Sequence, residues 1–223
     1  MVIHKKQLGS RSWQSGVTLI EMLVVVGIFS VISSVILFNY SDFSTTVSLK
    51  NLTQDIALTL RKAQTYATSV QSLPNGSSTT EFPSYGMSFS PDTSAGGAFL
   101  PYSKRFVLFA DIIPADKKYS STGSCGSPSS GNECVESITI TGSDKIKEVC
   151  VENGVEDLCS SGSAVLDITF QRPSPDAIIC YRAGGYADNC AFGIPSYAKI
   201  KVQSAKGVNR TILIWNTGQI STQ

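Results

Sequence analysis

The chain has 223 residues, of which 42% are hydrophobic and 16% charged, and a formal net charge of +1. This length fits one domain of ordinary size with appendages, and the composition excludes a disordered, a collagen-like or a strongly nucleic-acid-binding protein. The charge is unevenly placed, because Lys5, Lys6 and Arg11 lie in the first 16 positions and no acidic residue does. The rest of the chain has more acidic than basic residues and offers no broad cationic field.

A long apolar block follows this basic segment. It runs from Val17 to Tyr40, and Glu21 is its only charged residue. A helix of about 20 such residues spans the hydrocarbon core of a bilayer. The basic residues before the block, with no further one until Lys50, predict a single span whose N-terminus faces the cytoplasm. A secretory signal would instead have a small-residue cleavage site after the apolar run, where this chain reads FNYSDF.

Glu21 is unusual in this block, because a carboxylate near one end of an apolar span is costly and generally has a partner or a function. If the chain is cut after Gly16, Val17 becomes a new N-terminal cation and Glu21 the fifth residue of the mature chain. The amine of Val17 on one subunit and Glu21 on its neighbour can then neutralise each other in a low dielectric. Such a pairing would set the register between helices, so Glu21 is a candidate assembly residue.

The sequence GVTLIEMLVVVGI, residues 16–28, closely resembles the class III signal of type IV pilins and type II secretion pseudopilins. That signal has a Gly, a cleavage point, a hydrophobic first residue that is often Phe, then TLIE and an apolar helix. Val17 stands in place of Phe, whereas Gly16 and Glu21 match at the family's spacing. The resemblance implies that prepilin peptidase, an inner-membrane aspartic protease, removes residues 1–16 and that Val17 is N-methylated. It also implies a bacterial inner-membrane protein that assembles with other pilin or pseudopilin subunits and has an extracytoplasmic head.

The helix is expected to continue beyond the apolar block. From Asp42 to about Leu73 there is no Gly or Pro, and apolar residues recur every three to four positions. This stripe comprises Leu52, Ile56, Leu60 (or Ala63), Ala67 and Val70. We therefore predict a transmembrane half over residues 17–40 and an amphipathic half over 41–73, ended by PNGSS at 74–78. Two separate helices broken near residues 39–42 are the alternative.

Residues 74–223 are rich in Ser, Gly and short β-like runs, which predicts an antiparallel β-rich head. The expected fold class is thus α+β, with a long N-terminal helix packed on an antiparallel sheet, as in pilins. A Ser/Gly-rich surface loop is expected from Ser120 to Cys134. The predicted strands are Tyr85–Ser90, Arg105–Ala110, Val135–Thr141, Lys145–Val151, Val165–Phe170, Ala177–Arg182, Ala198–Val202 and Arg210–Trp215.

The six cysteines all lie in the distal part of the chain, at Cys125, Cys134, Cys150, Cys159, Cys180 and Cys190. An even number confined to this region predicts disulfides formed outside the cytoplasm. The spacing gives three close pairs, C-x8-C, C-x8-C and C-x9-C, and sequential pairing is the simplest of the possible connectivities. A zinc site would need C-x2-C or a nearby histidine, and neither is present.

Parts of the chain are also similar to the GspH/FimT group of minor pseudopilins and minor pilins. The similar pieces are LRKAQTYA at residues 60–67, YGMSF at 85–89 and the closing strands from Ile200 to Ile220. In that group a helix containing Ala and Gln precedes the β domain, and a strand of the I-x-I-x-x-x-G-x-I kind ends it. A generic pilin-like head is the alternative.

No catalytic centre is expected. The only histidine, His4, lies in the leader, so a mature chain lacks a Ser-His-Asp or Cys-His nucleophile and any His-based metal site. We therefore expect no enzyme activity, no metal and no cofactor. Asp111 and Asp116 resemble half of a calcium loop, but the EF-hand spacing is absent and a turn with two solvated acids is favoured. For Asp167 and Asp176 we likewise expect turn chemistry rather than a carboxylate pair.

The C-terminal strands are basic, because no acid follows Asp188. The basic residues there are Lys199, Lys201, Lys206 and Arg210. The first two would share one strand face. These charges could contact DNA during uptake, as in some relatives of the minor-pilin type. Ordinary solvent-facing charge, or pairing with acids of a neighbouring subunit, is the other interpretation.

The favoured function is that of a minor pilin or pseudopilin in a type IV pilus or a type II secretion pseudopilus. The rival is a monomeric exported binding or adhesion domain held by an uncleaved signal anchor. A DNA-uptake minor pilin that uses the basic C-terminal strands is a further alternative.

Overall fold

The computed structural model describes residues 16–69, 73, 82–94, 100–112, 115–121, 123–126, 128, 131–152, 154, 156–183, 190 and 195–223. The backbone groups into two compact units, Met1–Phe43 and Ser44–Gln223, which are treated separately below. One α-helix, α1, begins at Leu19 and ends at Thr68. The expected leader, apart from Gly16, and the turn expected at 74–78 lie outside the described residues.

The first unit contains the start of α1 and its apolar part. Thr18 caps the helix, because its hydroxyl accepts a hydrogen bond from the N–H of Glu21 over 3.3 Å. Threonine at the cap with glutamate three residues later has the sequence of a capping box. The apolar side chains that follow are exposed, from 50% at Val24 to 82% at Leu19. Within the described residues, α1 is the one helix long and apolar enough to cross a membrane.

Ten strands are found among the described residues of the second unit. They are β1 (Ser84–Phe89), β2 (Arg105–Asp111), β3 (Cys134–Thr139), β4 (Lys145–Glu152), β5 (Asp157–Ser160), β6 (Ala164–Phe170), β7 (Ala177–Ala183), β8 (Tyr197–Gln203), β9 (Asn209–Trp215) and β10 (Ile220–Thr222). The first sheet has the order β3-β2-β1-β6-β7 and the second the order β10-β9-β8-β4-β5. All neighbouring strands run antiparallel.

The main core of the second unit is shared by one face of each sheet and by α1 from Leu49 onward. Alternation along the strands selects this face, as β8 illustrates with Ala198, Ile200 and Val202 buried and the residues between them half-buried. On the helix, the predicted stripe is buried at Ile56, Leu60 and Ala67, whereas Leu52 is half-buried and Val70 lies outside the described residues. The fully buried apolar positions that pack in the main core recur mostly at three to four residues. They are Leu49, Ile56, Leu60, Ala63 and Ala67.

The opposite face of the first sheet carries a second, smaller core. Val107 and Phe109 of β2 pack there against Tyr119 and the Cys125–Cys134 pair. Tyr119 and Cys125 belong to the chain between β2 and β3, residues 112–133, which we call the connecting segment, and Cys134 is the first residue of β3. Gly86 of β1 makes room for Phe109, because a Cβ there would lie 2.7 Å from the phenylalanine ring. The described part of the connecting segment thus covers the Val107 and Phe109 side chains.

The α+β class, with one long helix and antiparallel sheets, is confirmed. All eight predicted strands are present, with ends that differ by at most two residues. β5 and β10 were not predicted, because four and three residues are too few to show an alternating pattern. The division into two sheets was also not predicted. The helix ends at Thr68, before Leu73, and it has no break at residues 39–42.

Candidate functional site

Gly16 and Val17 lie just before α1 and are exposed. A Cβ added at Gly16 would meet no atom within 4 Å, and the residue does not adopt the left-handed backbone conformation that favours glycine. The fold therefore does not require glycine at position 16. A requirement for glycine here would come from a reaction or a partner that acts on the segment.

Glu21 lies in the first turn of α1 and is exposed. Its position is favourable for the isolated helix, since the N-terminal end of a helix attracts a negative charge. The next charged residue along α1 is Asp42, which lies about 30 Å further along the helix axis. The helix therefore brings no countercharge to Glu21, and the 20 positions between the two acids carry none. In an apolar environment the countercharge of Glu21 must come from elsewhere.

The model of the prokaryotic N-terminal methylation motif matches residues 14–37. This chain carries the type IV prepilin-like signature. The match takes in Gly16, Val17, Glu21 and the apolar part of α1, as the sequence predicted. No curated protein and no solved structure matches the chain. The prepilin-like signature implies processing by a peptidase and assembly with other pilins, and with the apolar helix it fits membrane anchoring.

The six cysteines form three disulfides in sequential order. The pairs are Cys125–Cys134, Cys150–Cys159 and Cys180–Cys190. Cys150 and Cys159 are direct register partners in the β4–β5 hairpin, and Glu148 lies beside them. These three residues have the donor atoms of a metal site, but the two sulfurs are bonded to each other. Glu148 itself accepts a hydrogen bond from Lys201 over 2.6 Å.

Asp111 was considered above as a calcium ligand or a solvated turn residue. It is neither in contact with solvent nor accessible to a metal ion. It is 2% exposed at the end of β2. The Lys117 ammonium lies 2.8 Å from its carboxylate, and the backbone N–H of Lys117 donates to it over 3.2 Å. Asp116 does lie in a turn, where it accepts a hydrogen bond from the N–H of Lys118 over 3.1 Å. The expectation of two solvated acids is therefore wrong for Asp111, because the connecting segment folds back over it.

Asp167 also departs from the expected turn chemistry. It lies inside β6 and is fully buried, bonded to the hydroxyl of Ser88 on β1 and to the guanidinium of Arg182 on β7, each at 2.5 Å. Burial raises the pKa of Asp167, and both partners oppose that rise. The local sequence gave no sign of this, because both partners come from other strands. Asp176 does take part in a turn, in which its N–H donates to Ser174 Oγ over 3.3 Å.

Glu133 is a buried acid that the sequence did not single out. It is the last residue of the connecting segment and is 0% exposed, and it accepts hydrogen bonds from the N–H groups of Ile112 and Ser120 in the same segment. Burial and, to a smaller extent, the nearby Asp111 carboxylate raise the pKa of this carboxyl to about 7, while its hydrogen bonds to Ser120 and Ile112 act to lower it. The only signal in the sequence is its position next to Cys134, inside a stretch that reads as a solvated loop.

The basic residues of the C-terminal strands are placed largely as predicted. Lys199 and Lys201 share the outer face of β8, since Ile200 between them points into the core. Each is paired with an acid of its own chain, Lys199 with Asp157 at 2.5 Å and Lys201 with Glu148 at 2.6 Å. Lys206 lies in the turn after β8 and Arg210 in β9. The sequence did not reveal these pairings, because both acids lie on strands some 40 or 50 residues earlier.

Aromatic side chains accompany the lysines on this face. Tyr197 and Trp215 contact each other with ring centroids 5.2 Å apart, and the Lys199 ammonium lies 4.9 Å from the Tyr197 ring centroid. The Tyr197 hydroxyl donates to Asp157 over 2.9 Å. The face is thus a mixed network in which acids offset the positive charge of the two lysines, which makes it a weak attractor for polyanions.

Proposed function

We propose that this chain is a structural subunit, a minor pilin or pseudopilin, of a type IV pilus or a type II secretion pseudopilus. Prepilin peptidase cuts it after Gly16, and Val17 becomes the methylated N-terminus of the mature subunit. The apolar part of α1 holds the subunit in the bacterial inner membrane, with the head on the extracytoplasmic side. The helix then packs against those of other subunits in a filament, and the protein has no catalytic role.

One observation carries this proposal: the spacing of Gly16, Val17 and Glu21 at the start of an apolar helix whose large side chains are exposed. The fold requires neither the glycine nor the glutamate, and α1 supplies no countercharge to Glu21. Cleavage after Gly16 supplies one, since it creates an amine at Val17. Pairing of that amine with Glu21 of a neighbouring subunit removes two charges from lipid at once and fixes the axial stagger of the helices.

The finer assignment is to an H-type minor pseudopilin or minor pilin of the GspH/FimT group. The head supports this by its order, in which the α1 segment with LRKAQTYA precedes the sheets and a β8–β9 hairpin with a short final strand ends them. A signal-anchored monomer has no use for a glycine and a glutamate at this spacing. DNA binding through β8 and β9 is not favoured, because Lys199 and Lys201 are already paired with acids.

The assembly role of Glu21 is tested by replacing it in cells that express a prepilin peptidase and a filament machinery. We expect Glu21→Gln to be cut at the same bond as the unaltered chain but to be absent from sheared filaments. Glu21→Asp keeps the charge and is the matched control, for which we expect reduced but measurable incorporation. Filament fractions are compared by immunoblotting. Normal incorporation of Glu21→Gln would remove the charge pair from the mechanism.

A further inference from the structure

Basic side chains collect at one end of the second unit. This unit begins at Ser44, and the hydroxyl of Ser48, one turn further along α1, donates to the Asp144 carboxylate over 2.7 Å. Asp144 lies in the connection between β3 and β4. The end of the unit that contains this connection is therefore the end at which α1 enters it, and we call it the entry end.

Lys104, just before β2, brings a positive charge to the entry end. Its ammonium donates to the carbonyls of Gly142 and Asp144 over 2.8 Å and 2.7 Å. Both acceptors are neutral backbone groups, so these bonds fix the position of the ammonium without cancelling its charge. Lys145 follows as the first residue of β4 and adds a second charge at this end.

The hairpin of β8 and β9 adds further cations at the same end. Lys145, Gln203 and Asn209 are register partners across β4, β8 and β9. Because neighbouring strands lie about 4.8 Å apart, the turn between β8 and β9 begins within roughly 10 Å of Lys145. Lys206 lies in that turn, and Arg210 lies near the start of β9. Cations from separate parts of the chain thus converge on the entry end.

The acids at the entry end offset these charges only in part. Asp144 is 4% exposed, so its carboxylate is largely withdrawn from the surface. Asp92 lies at this end as well, because its carbonyl accepts a hydrogen bond from the N–H of Ser103 over 2.7 Å. Among the residues that the structure describes, no acid forms an ion pair with Lys145 or Arg210. The surface of the entry end therefore has an excess of positive charge.

The opposite end of the second unit has the reverse charge. Gln64 lies about 24 Å beyond Ser48 along α1 and donates to the Pro175 carbonyl over 2.9 Å. β4 likewise runs from Lys145 at the entry end to Glu152 at the opposite end. Charged side chains at this opposite end include the acids Glu152, Glu156, Asp157 and Asp176 and the cations Arg172 and Lys199. The unit is thus polarised along α1, with its positive end where the chain enters.

The turn between β8 and β9 also exposes an apolar side chain. Val208 is 43% exposed, and Lys206 and Arg210 lie on either side of it along the chain. Ser204 orders this turn, because its N–H donates to the Val208 carbonyl over 2.9 Å and its hydroxyl accepts from the Val208 N–H over 3.2 Å. An apolar residue between two cations can reach the acyl boundary of a bilayer while the cations lie among the headgroups.

We propose that the entry end binds the anionic headgroups of the membrane that anchors α1. This inference rests on the membrane anchoring proposed above. The chain itself limits the separation, because only the residues 41–43 lie between Tyr40, the last residue of the apolar block, and Ser44. Even when fully extended, this stretch spans no more than about 14 Å. The exposed valine and the short tether favour a lipid surface over a nucleic acid, which would need neither.

The test is hydrogen exchange of residues 204–210 in the full chain, reconstituted into lipid vesicles. Vesicles of phosphatidylcholine alone are compared at low salt with vesicles that contain about a third phosphatidylglycerol. Each cation close to an anionic surface strengthens binding about fivefold, so we expect exchange in the anionic vesicles to be slower by on the order of tenfold or more. In about 1 M salt the difference should disappear, since the Debye length falls to about 3 Å.

Lys145→Gln combined with Arg210→Gln removes two charges from the entry end and should abolish most of the lipid-dependent protection. Arg61→Gln combined with Lys118→Gln is the matched control, because it removes the same charge elsewhere. Arg61 lies about 20 Å along α1 from the entry end, and Lys118 lies in the connecting segment. The control should keep the protection. If the entry-end variant does not fold, the salt dependence of the unaltered chain tests the same point.

Flotation of the vesicles after an alkaline wash reports the insertion of α1 separately. A chain that is washed off would contradict membrane anchoring and this inference together. A chain that stays inserted, but exchanges equally in both kinds of vesicle or keeps its protection in high salt, overturns the lipid contact alone. Protection by duplex DNA in neutral vesicles, with none from anionic lipid, would assign the surface to a nucleic acid instead.

Discussion

At the scale of single residues, Gly86 makes room for the smaller core on the first sheet. It lies opposite Phe109 on β2 and Thr169 on β6. The ring of Phe109 occupies the space above Gly86, and a Cβ there would approach both the ring and the Ile168 carbonyl to 2.7 Å. We expect Gly86→Ala to lower the free energy of unfolding by about 2 kcal/mol, because the backbone oxygen cannot yield. Chemical denaturation of the full chain in detergent measures this loss.

Gly162 provides the control for that substitution. It lies in the turn between β5 and β6, where an added Cβ meets no atom within 4 Å and the backbone is not in the left-handed region. Gly162→Ala should change the free energy of unfolding by less than about 0.5 kcal/mol. Equal effects of the two variants would mean that Phe109 does not rest on Gly86.

The N-terminal motif could be recognised from sequence, whereas the buried acids could not be predicted. Gly16, Val17 and Glu21 belong to a local motif that is recognised by the spacing of its residues along the chain. Recognising it therefore needs no tertiary structure. Asp167 and Glu133 depend on partners 15 to 79 residues away or on a covering segment. Nothing in the neighbourhood of either acid along the chain distinguishes it from a solvated one.

At the scale of elements, strand prediction succeeded for the eight strands of six or more residues. β8 alternates strictly between buried and half-buried residues, and this alternation is legible in the sequence as YAKIKVQ. β5 reads DLCS and contains no buried residue. Its pairing with β4 is fixed instead by the hairpin connection and by a disulfide. Sheet membership was not predictable, because strands adjacent in sequence such as β3 and β4 lie in different sheets.

The Cys150–Cys159 disulfide is the element-scale device that keeps β5 on β4. It joins register partners and closes a loop with a sequence separation of 9. We expect Cys150→Ala combined with Cys159→Ala to lower the free energy of unfolding by about 2–3 kcal/mol, because the unfolded chain regains the entropy of the open loop. Guanidinium denaturation under oxidising conditions tests this.

Ser161→Ala, in the exposed turn that follows β5, is the control for the disulfide variant. It leaves the covalent loop intact and should change stability by no more than about 0.5 kcal/mol. If the double variant is as stable as this control, the hairpin is held by its backbone pairing alone.

For the whole molecule, the two units have different physical requirements. The second unit has its own buried core, and its sheets satisfy the backbone hydrogen bonds of their inner strands. In the first unit, the large apolar side chains of α1 that the structure describes are exposed. Such a surface is stable only in lipid or against other apolar helices. Membrane anchoring followed by helix-to-helix assembly meets both conditions in turn.

The central claim is that this protein is a prepilin, and the most direct test is the N-terminus of the mature chain. Intact mass and N-terminal sequencing are compared for protein produced with and without a prepilin peptidase. We expect a peptidase-dependent N-terminus at Val17 that carries an added methyl group, and an intact leader when the peptidase is absent. A leader that remains in place despite the peptidase, or cleavage only beyond Tyr40, would contradict the account and leave an anchored or secreted disulfide-bonded domain.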